Sequence, residues 1–127
     1  MTHSGIRDAL LDFVVDSSLV SDELVDARYA AASMDGAAER FRAVIAARDV
    51  DREQLPLDFS VLAALKVPVL LIHGREDRVI PLSRSLELAA TIPHADLHFF
   101  SQCGHWSQVE RAADFNKLVA AYLPTHS

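Results

Sequence analysis

The stretch from Val67 to Pro81, reading VPVLLIHGREDRVIP, constrains the fold of this chain more than any other. Its apolar run ends at Gly74 and gives way at once to charge. A run without polar alternation suits a strand buried on both faces, as in a parallel sheet covered by helices. Gly74 permits a tight exit, and Pro81 stiffens the far side of the loop. In open α/β sheets the chemistry lies just beyond the carboxyl ends of the strands, which is where Asp77 falls. A second loop, Gln102-Cys-Gly-His-Trp106, follows the shorter strand-like run Leu97–Phe100. One strand is followed by a carboxylate and the next by a histidine, His105.

The rest of the chain reads as helices around this unit. Ile6, Leu10, Phe13 and Val14 fall at helical spacing, and Asp16-Ser-Ser18 interrupts them. Ser21 is placed to cap a second helix, with Asp22 and Glu23 at the positive end of its dipole. That helix puts Arg28 on or near its inward face, beside Leu24, Val25 and Tyr29. A third helix begins at Asp35-Gly36, with Ala38, Phe41 and Ile45 as its stripe, and residues 49–58 form a charged connector containing Pro56. A short turn from Ser60 to Leu65 leads into the central strand. Beyond Asp77, a crossover helix carrying Leu82, Leu86, Ala89 and Ala90 ends at Pro93, and a last helix carries Val109, Ala112, Phe115, Val119 and Tyr122. From Val67 onward the order is strand, loop, helix, strand, loop, helix, a parallel unit. Two parallel strands leave unpaired edges and do not make a stable sheet, so the spacing predicts the end of a longer one.

Charge and composition narrow the class. With 127 residues, half of them apolar, and a net charge of −6, the chain suits one soluble domain. The acidic balance argues against nucleic acid or an anionic membrane as partner. No apolar stretch spans a bilayer, no signal-peptide pattern is present, and the single cysteine, Cys103, cannot form an internal disulfide. These features predict a cytoplasmic protein.

Asp77 and His105 suit the orienter and general base of a Ser-His-Asp triad, and they follow the acid-then-histidine order of α/β-hydrolases. The competing reading is a turn aspartate and a loop histidine that only cap backbone groups. His94 and His98 lie four apart but on a strand pattern after Pro93, which argues against a metal site. His73 reads as a packed histidine. Cys103 beside His105 could be a nucleophile or a small packing residue, and the latter fits a tight loop better. Arg28 could hold a carboxylate or lie on the surface with a buried stem.

Gly74-Arg-Glu-Asp-Arg-Val-Ile-Pro81 and Cys103-Gly-His-Trp-Ser-Gln108, followed by Glu110 and Asp114-Phe-Asn-Lys-Leu-Val119, resemble the α/β-hydrolase fold. More narrowly, they resemble its meta-cleavage-product hydrolases, which cleave a C–C bond in 2-hydroxy-6-oxo-dienoates formed in the breakdown of aromatic compounds. Phe13-Val-Val-Asp-Ser-Ser-Leu19 and Asp22-Glu-Leu-Val-Asp-Ala-Arg28 resemble the start of that family's helical lid. The resemblance implies an α/β fold represented by its C-terminal portion. Residues 1–60 would be lid segment and connector, and 61–127 the last two parallel strands with their helices, in an incomplete sheet. It implies no cofactor, Asp77 as the triad acid, and His105 as the base that also moves the proton ketonising the dienol. Trp106 and Phe13 would line the pocket, and Arg28 would bind the end of the dienoate bearing the carboxylate.

Members of that family are about twice as long, and the nucleophile lies in the half without a counterpart here. The four glycines, Gly5, Gly36, Gly74 and Gly104, form no Gly-x-Ser-x-Gly and no oxyanion loop. The expectation is therefore a truncated product or one part of a split enzyme, inactive alone. A dienoate would be its substrate once an N-terminal half completes it, and the exposed strand edge would be open to self-association. Another lid-bearing ester hydrolase and a catalytically dead interaction module remain the alternatives.

Overall fold

The structure, a computed structural model, describes residues 2–54 and 58–123. The front of the chain is helical: α1 (His3–Leu11), a 3-10 turn (Ser17–Leu19), α2 (Asp22–Ala32), α3 (Ala37–Gln54) and α4 (Phe59–Ala63). Behind it come β1 (Val69–Gly74), α5 (Ser83–Thr91), β2 (Ala95–Phe100), α6 (Ser107–Glu110) and α7 (Ala112–Tyr122).

Capping explains the first two helices. Thr2 accepts the Gly5 amide at 3.1 Å, and Ser21 accepts that of Leu24 at 3.2 Å, the cap its position predicted. The α1 helix stops at Leu11, short of the expected end. Asp16 then takes the Ser18 amide at 2.9 Å and hydroxyl at 2.6 Å, which favours a separate 3-10 turn. Ile6 and Leu10 from α1, Val14, Val20, and Val25 from α2 form the main buried cluster. Arg7 fastens the two helices by donating to the Val20 carbonyl at 3.1 Å and pairing with Asp22.

Expectations change in the later helices as well. The third helix runs to Gln54, so residues 49–54 are helical and not connector. Arg52 and Glu53 are good helix formers, and no glycine or proline stands between Gly36 and Pro56, which itself lies outside the described residues. The expected stripe on α3 is not buried: Phe41 is 57% exposed, and the Ile45 side chain lies outside the described residues. The single last helix is two, broken at Arg111.

The β1 and β2 strands pair in parallel, from Val69 with Ala95 to Gly74 with Phe100. The sheet has these two strands among the described residues, so it is incomplete, as the spacing predicts. Strand β2 starts at Ala95, earlier than its apolar run, because the ladder with β1 satisfies the backbone whatever the side chain of Asp96. Burial on both faces holds only at the end of β1. His73 and Gly74 are buried, whereas Val69–Ile72 are half-buried, as expected of a strand with one open edge.

Candidate active site

The carboxyl ends of β1 and β2 are held together by backbone. Beyond the sheet proper, Arg75 donates to the Phe100 carbonyl at 2.9 Å and Glu76 to that of Cys103 at 3.0 Å. The Glu76 side chain returns the link, accepting the Cys103 amide at 2.9 Å. Gln102 takes a positive φ of 52° where the second loop turns back toward the first.

This clasp brings Asp77 and His105 together. Asp77 Oδ2 accepts from His105 Nδ1 at 2.9 Å, and its Oδ1 accepts the amides of Val79 at 2.7 Å and Ile80 at 2.9 Å. The carboxylate side chain is 6% exposed and the imidazole 28%. With its hydrogen on Nδ1, neutral His105 keeps a lone pair on Nε2, which has no protein partner among the described residues. Such an imidazole can take a proton at Nε2 while the carboxylate stabilises the cation formed.

Burial raises the Asp77 pKa, but the amide of Ile80, the His105 hydrogen bond and the amide of Val79 together outweigh it, leaving the group below its ordinary 3.8. A carboxyl depressed on folding stabilises the native loop fully above its unfolded value, and that contribution is lost as pH falls through the lower folded value. A carbon-detected NMR titration should therefore give an Asp77 midpoint below 3.8, with the Val79 and Ile80 amides following it. A midpoint at or above the ordinary value would contradict these hydrogen bonds.

Behind the pair stands His73, also buried. Its Nε2 lies 3.1 Å from the Ile80 carbonyl, which can only accept, so that nitrogen carries the hydrogen. Its Nδ1 then accepts from Ser85 Oγ at 2.5 Å, and Nε2 also lies 3.2 Å from Asp77 Oδ2. His73 thus fits its reading as a packed, hydrogen-bonded residue. Cys103 is fully buried, and burial, followed by the neighbouring Glu110, pushes its thiol up to about 11. A thiol so placed stays protonated and is no nucleophile.

Phe13 and Trp106 gather at the same spot. The Phe13 ring lies 5.2 Å from the His105 ring and 5.1 Å from that of Trp106, centroid to centroid. Arg28 departs from its expected place. It is exposed, because Val25 takes the buried face of α2, yet its guanidinium lies 5.7 Å from the Trp106 ring centroid. Glu76 and Glu110 stand in the motifs that carry the resemblance, but nothing in the sequence gave either a role of its own. Glu110 accepts the amides of Val15 at 2.6 Å and Asp16 at 3.1 Å through Oε1, and that of Gly104 through Oε2. Residues 94 positions apart meet here, which no local spacing reveals.

A cavity of about 490 Å³ lies away from this pair, lined by residues of β2, Arg111 and α7, among them Phe100 and Lys117. Among the described residues, no group of three or more His, Cys, Asp or Glu could hold a metal ion, and no helix is long and apolar enough to cross a membrane.

The α/β-hydrolase fold family matches residues 25–112. Over 116 residues the chain is 47% identical to the 2-hydroxymuconate semialdehyde hydrolase of Pseudomonas putida, covering 90% of this chain and 41% of that protein. It superposes on the crystal structure of CumD, a meta-cleavage product hydrolase from Pseudomonas fluorescens IP01, with a TM-score of 0.89. That match has 38% identity and covers 98% of this chain and 46% of the other. A TM-score of 0.85 at 26% identity relates it to the 2-hydroxy-6-oxo-6-phenylhexa-2,4-dienoate hydrolase BphD of Rhodococcus sp. strain RHA1, covering 97% of this chain and 44% of that one. The chain spans less than half the length of each of these relatives.

Proposed function

The chain belongs to the α/β-hydrolase fold family, and from that premise we propose that it supplies the acid, the base and part of the pocket of a hydrolase cleaving a C–C bond in 2-hydroxy-6-oxo-dienoates. The observation that carries this reading is the 2.9 Å contact of Asp77 with His105 Nδ1 at the ends of adjacent parallel strands, with Nε2 unpartnered among the described residues. The relatives' names supply the substrate class.

In this reading Nε2 of His105 takes and returns the protons of the reaction. It accepts the proton that leaves when the dienol becomes a ketone, and it deprotonates the attacking hydroxyl or water. When the C–C bond breaks, the acyl carbon gains the hydroxyl of water and the departing carbon gains a proton. Asp77 holds the imidazole in the required tautomer throughout. No Gly-x-Ser-x-Gly occurs in these 127 residues, so in this reading the nucleophile and the oxyanion donors come from polypeptide outside them. The open edge of β1 is where such a segment would extend the sheet, and without it the same edge is a site for pairing with a second copy.

Mixing this chain with the nucleophile-bearing N-terminal portion of a relative tests the proposal. Light scattering should show a mixed complex displacing any self-associated form, and absorbance should show dienoate consumed by the mixture and by neither part alone. A stable mixed complex without turnover would favour the interaction-module alternative.

Arg28 separates dienoate from ester chemistry. Its guanidinium, held over Trp106, is placed to meet a carboxylate entering beside Phe13. Arg28→Ala should weaken carboxylated dienoates by about 1.5–3 kcal/mol in kcat/KM, as expected for a lost charge-assisted hydrogen bond, and leave neutral esters nearly unaffected. Equal losses on both substrates would instead make Arg28 a support for Trp106.

A further inference from the structure

We infer that Glu110 is a positioning residue that sets the Phe13 ring against His105. The inference deepens the proposed function and rests on its assignment of His105 as the base. Glu110 holds the segment after α1 through the Val15 and Asp16 amides, and holds the histidine loop through the Gly104 amide. A fourth bond closes the strap, since Trp106 donates its amide to the Phe13 carbonyl at 3.1 Å. Between these bonds lie the Phe13 ring, 5.2 Å from the imidazole, and His105 itself.

The fit is close on every side. A Cβ on Gly104 would come within 2.7 Å of the Phe13 carbonyl oxygen and 3.2 Å of Glu110 Oε2, so glycine alone admits this approach. The carboxylate meets amides from two parts of the chain far apart in sequence, and no lysine or arginine pairs with it among the described residues. Its charge is therefore spent on backbone, and those bonds fix the distance between the two segments. Asp77 bonds His105 at Nδ1, and the Phe13 ring packs against the imidazole as a second neighbour. Glu110 acts on the base through Phe13 and Gly104 and touches no substrate.

The test has two arms. In the 127-residue chain, NMR follows the proximity of Phe13 ring protons to the His105 ring, with the His105 Nδ1 proton as an internal control. Glu110→Ala should abolish the ring proximity and keep the Nδ1 proton, and Glu110→Gln, which retains one accepting oxygen, should fall between. In the reconstituted enzyme, Glu110→Ala should lower kcat roughly 10- to 100-fold with little change in KM, the size expected from misplacing a catalytic group by about 1 Å. Unchanged ring proximity would overturn the inference, and so would joint loss of ring proximity and Nδ1 proton, which would mean that Glu110 merely folds the loop. If the wild-type mixture turns over no dienoate, the proposed function fails, and the NMR arm still decides whether Glu110 positions Phe13.

Discussion

In the reconstituted enzyme, Asp77→Asn and His105→Ala should each lower dienoate turnover by roughly 10⁴, the loss known for triads whose tautomer or base is removed. The two changes act differently. His105→Ala removes the lone pair that receives the proton. Asp77→Asn keeps the shape of the loop, because the amide oxygen can still accept from Val79 and Ile80. Its amide nitrogen then faces Nδ1 and favours the tautomer in which Nδ1 accepts, which places the hydrogen on Nε2 and blocks the base. The double variant should be little worse than either single one, since both remove one device. Single-turnover absorbance measurements on folded, complexed protein would check this. A loss below about tenfold for His105→Ala would leave the pair as loop-capping groups, the competing reading of the same two residues, and would move the base elsewhere.

The parts of this arrangement that were legible in the sequence are those set by local chemistry. The apolar run ending at Gly74, the second run before Gly104 and the Ser21 cap each follow from composition over a few residues, and the structure has elements at all three. The break at Arg111 was not legible. Its guanidinium reaches the Ser101 carbonyl at 2.9 Å and lies 5.2 Å from the Phe100 ring centroid, long-range contacts that a helical periodicity does not contain. The exposure of Arg28 was hidden for a related reason. Helical spacing gives a face, while the neighbours that cover it, here the α1 residues around Val25, come from elsewhere in the chain. Glu76 and Glu110 were missed because an acidic residue in a loop or short helix looks like an ordinary solvated charge. Their role lies in the distant amides they accept. The half-buried β1 was read as fully buried because its composition suits a strand with two neighbours, and the described residues provide one.

The second large effect is expected at a residue with no side chain. Gly74→Ala would put a Cβ 1.9 Å from the Gly104 carbonyl oxygen, 2.4 Å from that of Cys103 and 2.7 Å from the Cys103 carbonyl carbon. All three are backbone atoms, so no rotamer change relieves the clash. Gly74 has no positive φ, so the cost is steric and does not come from the backbone conformation. Ordinary contact distances require the end of β1 and the Cys103–Gly104 segment to separate by roughly 1.5 Å, which breaks bonds near 3 Å in length. Those at risk are Glu76 to Cys103 and, one residue further, Asp77 to His105. The substitution should cost about 3 kcal/mol or more of stability, the upper range for overpacking. Turnover of the complex should fall toward that of the His105 variant, with the Nδ1 proton signal lost. Gly36→Ala is the control. It carries a positive φ of 72° and meets only the end of the Arg40 side chain, so it should strain its turn and leave turnover intact. A Gly74→Ala enzyme with wild-type melting and turnover would mean that the two loops part freely, and the close approach at Gly74 would then not be what aims Asp77 at His105.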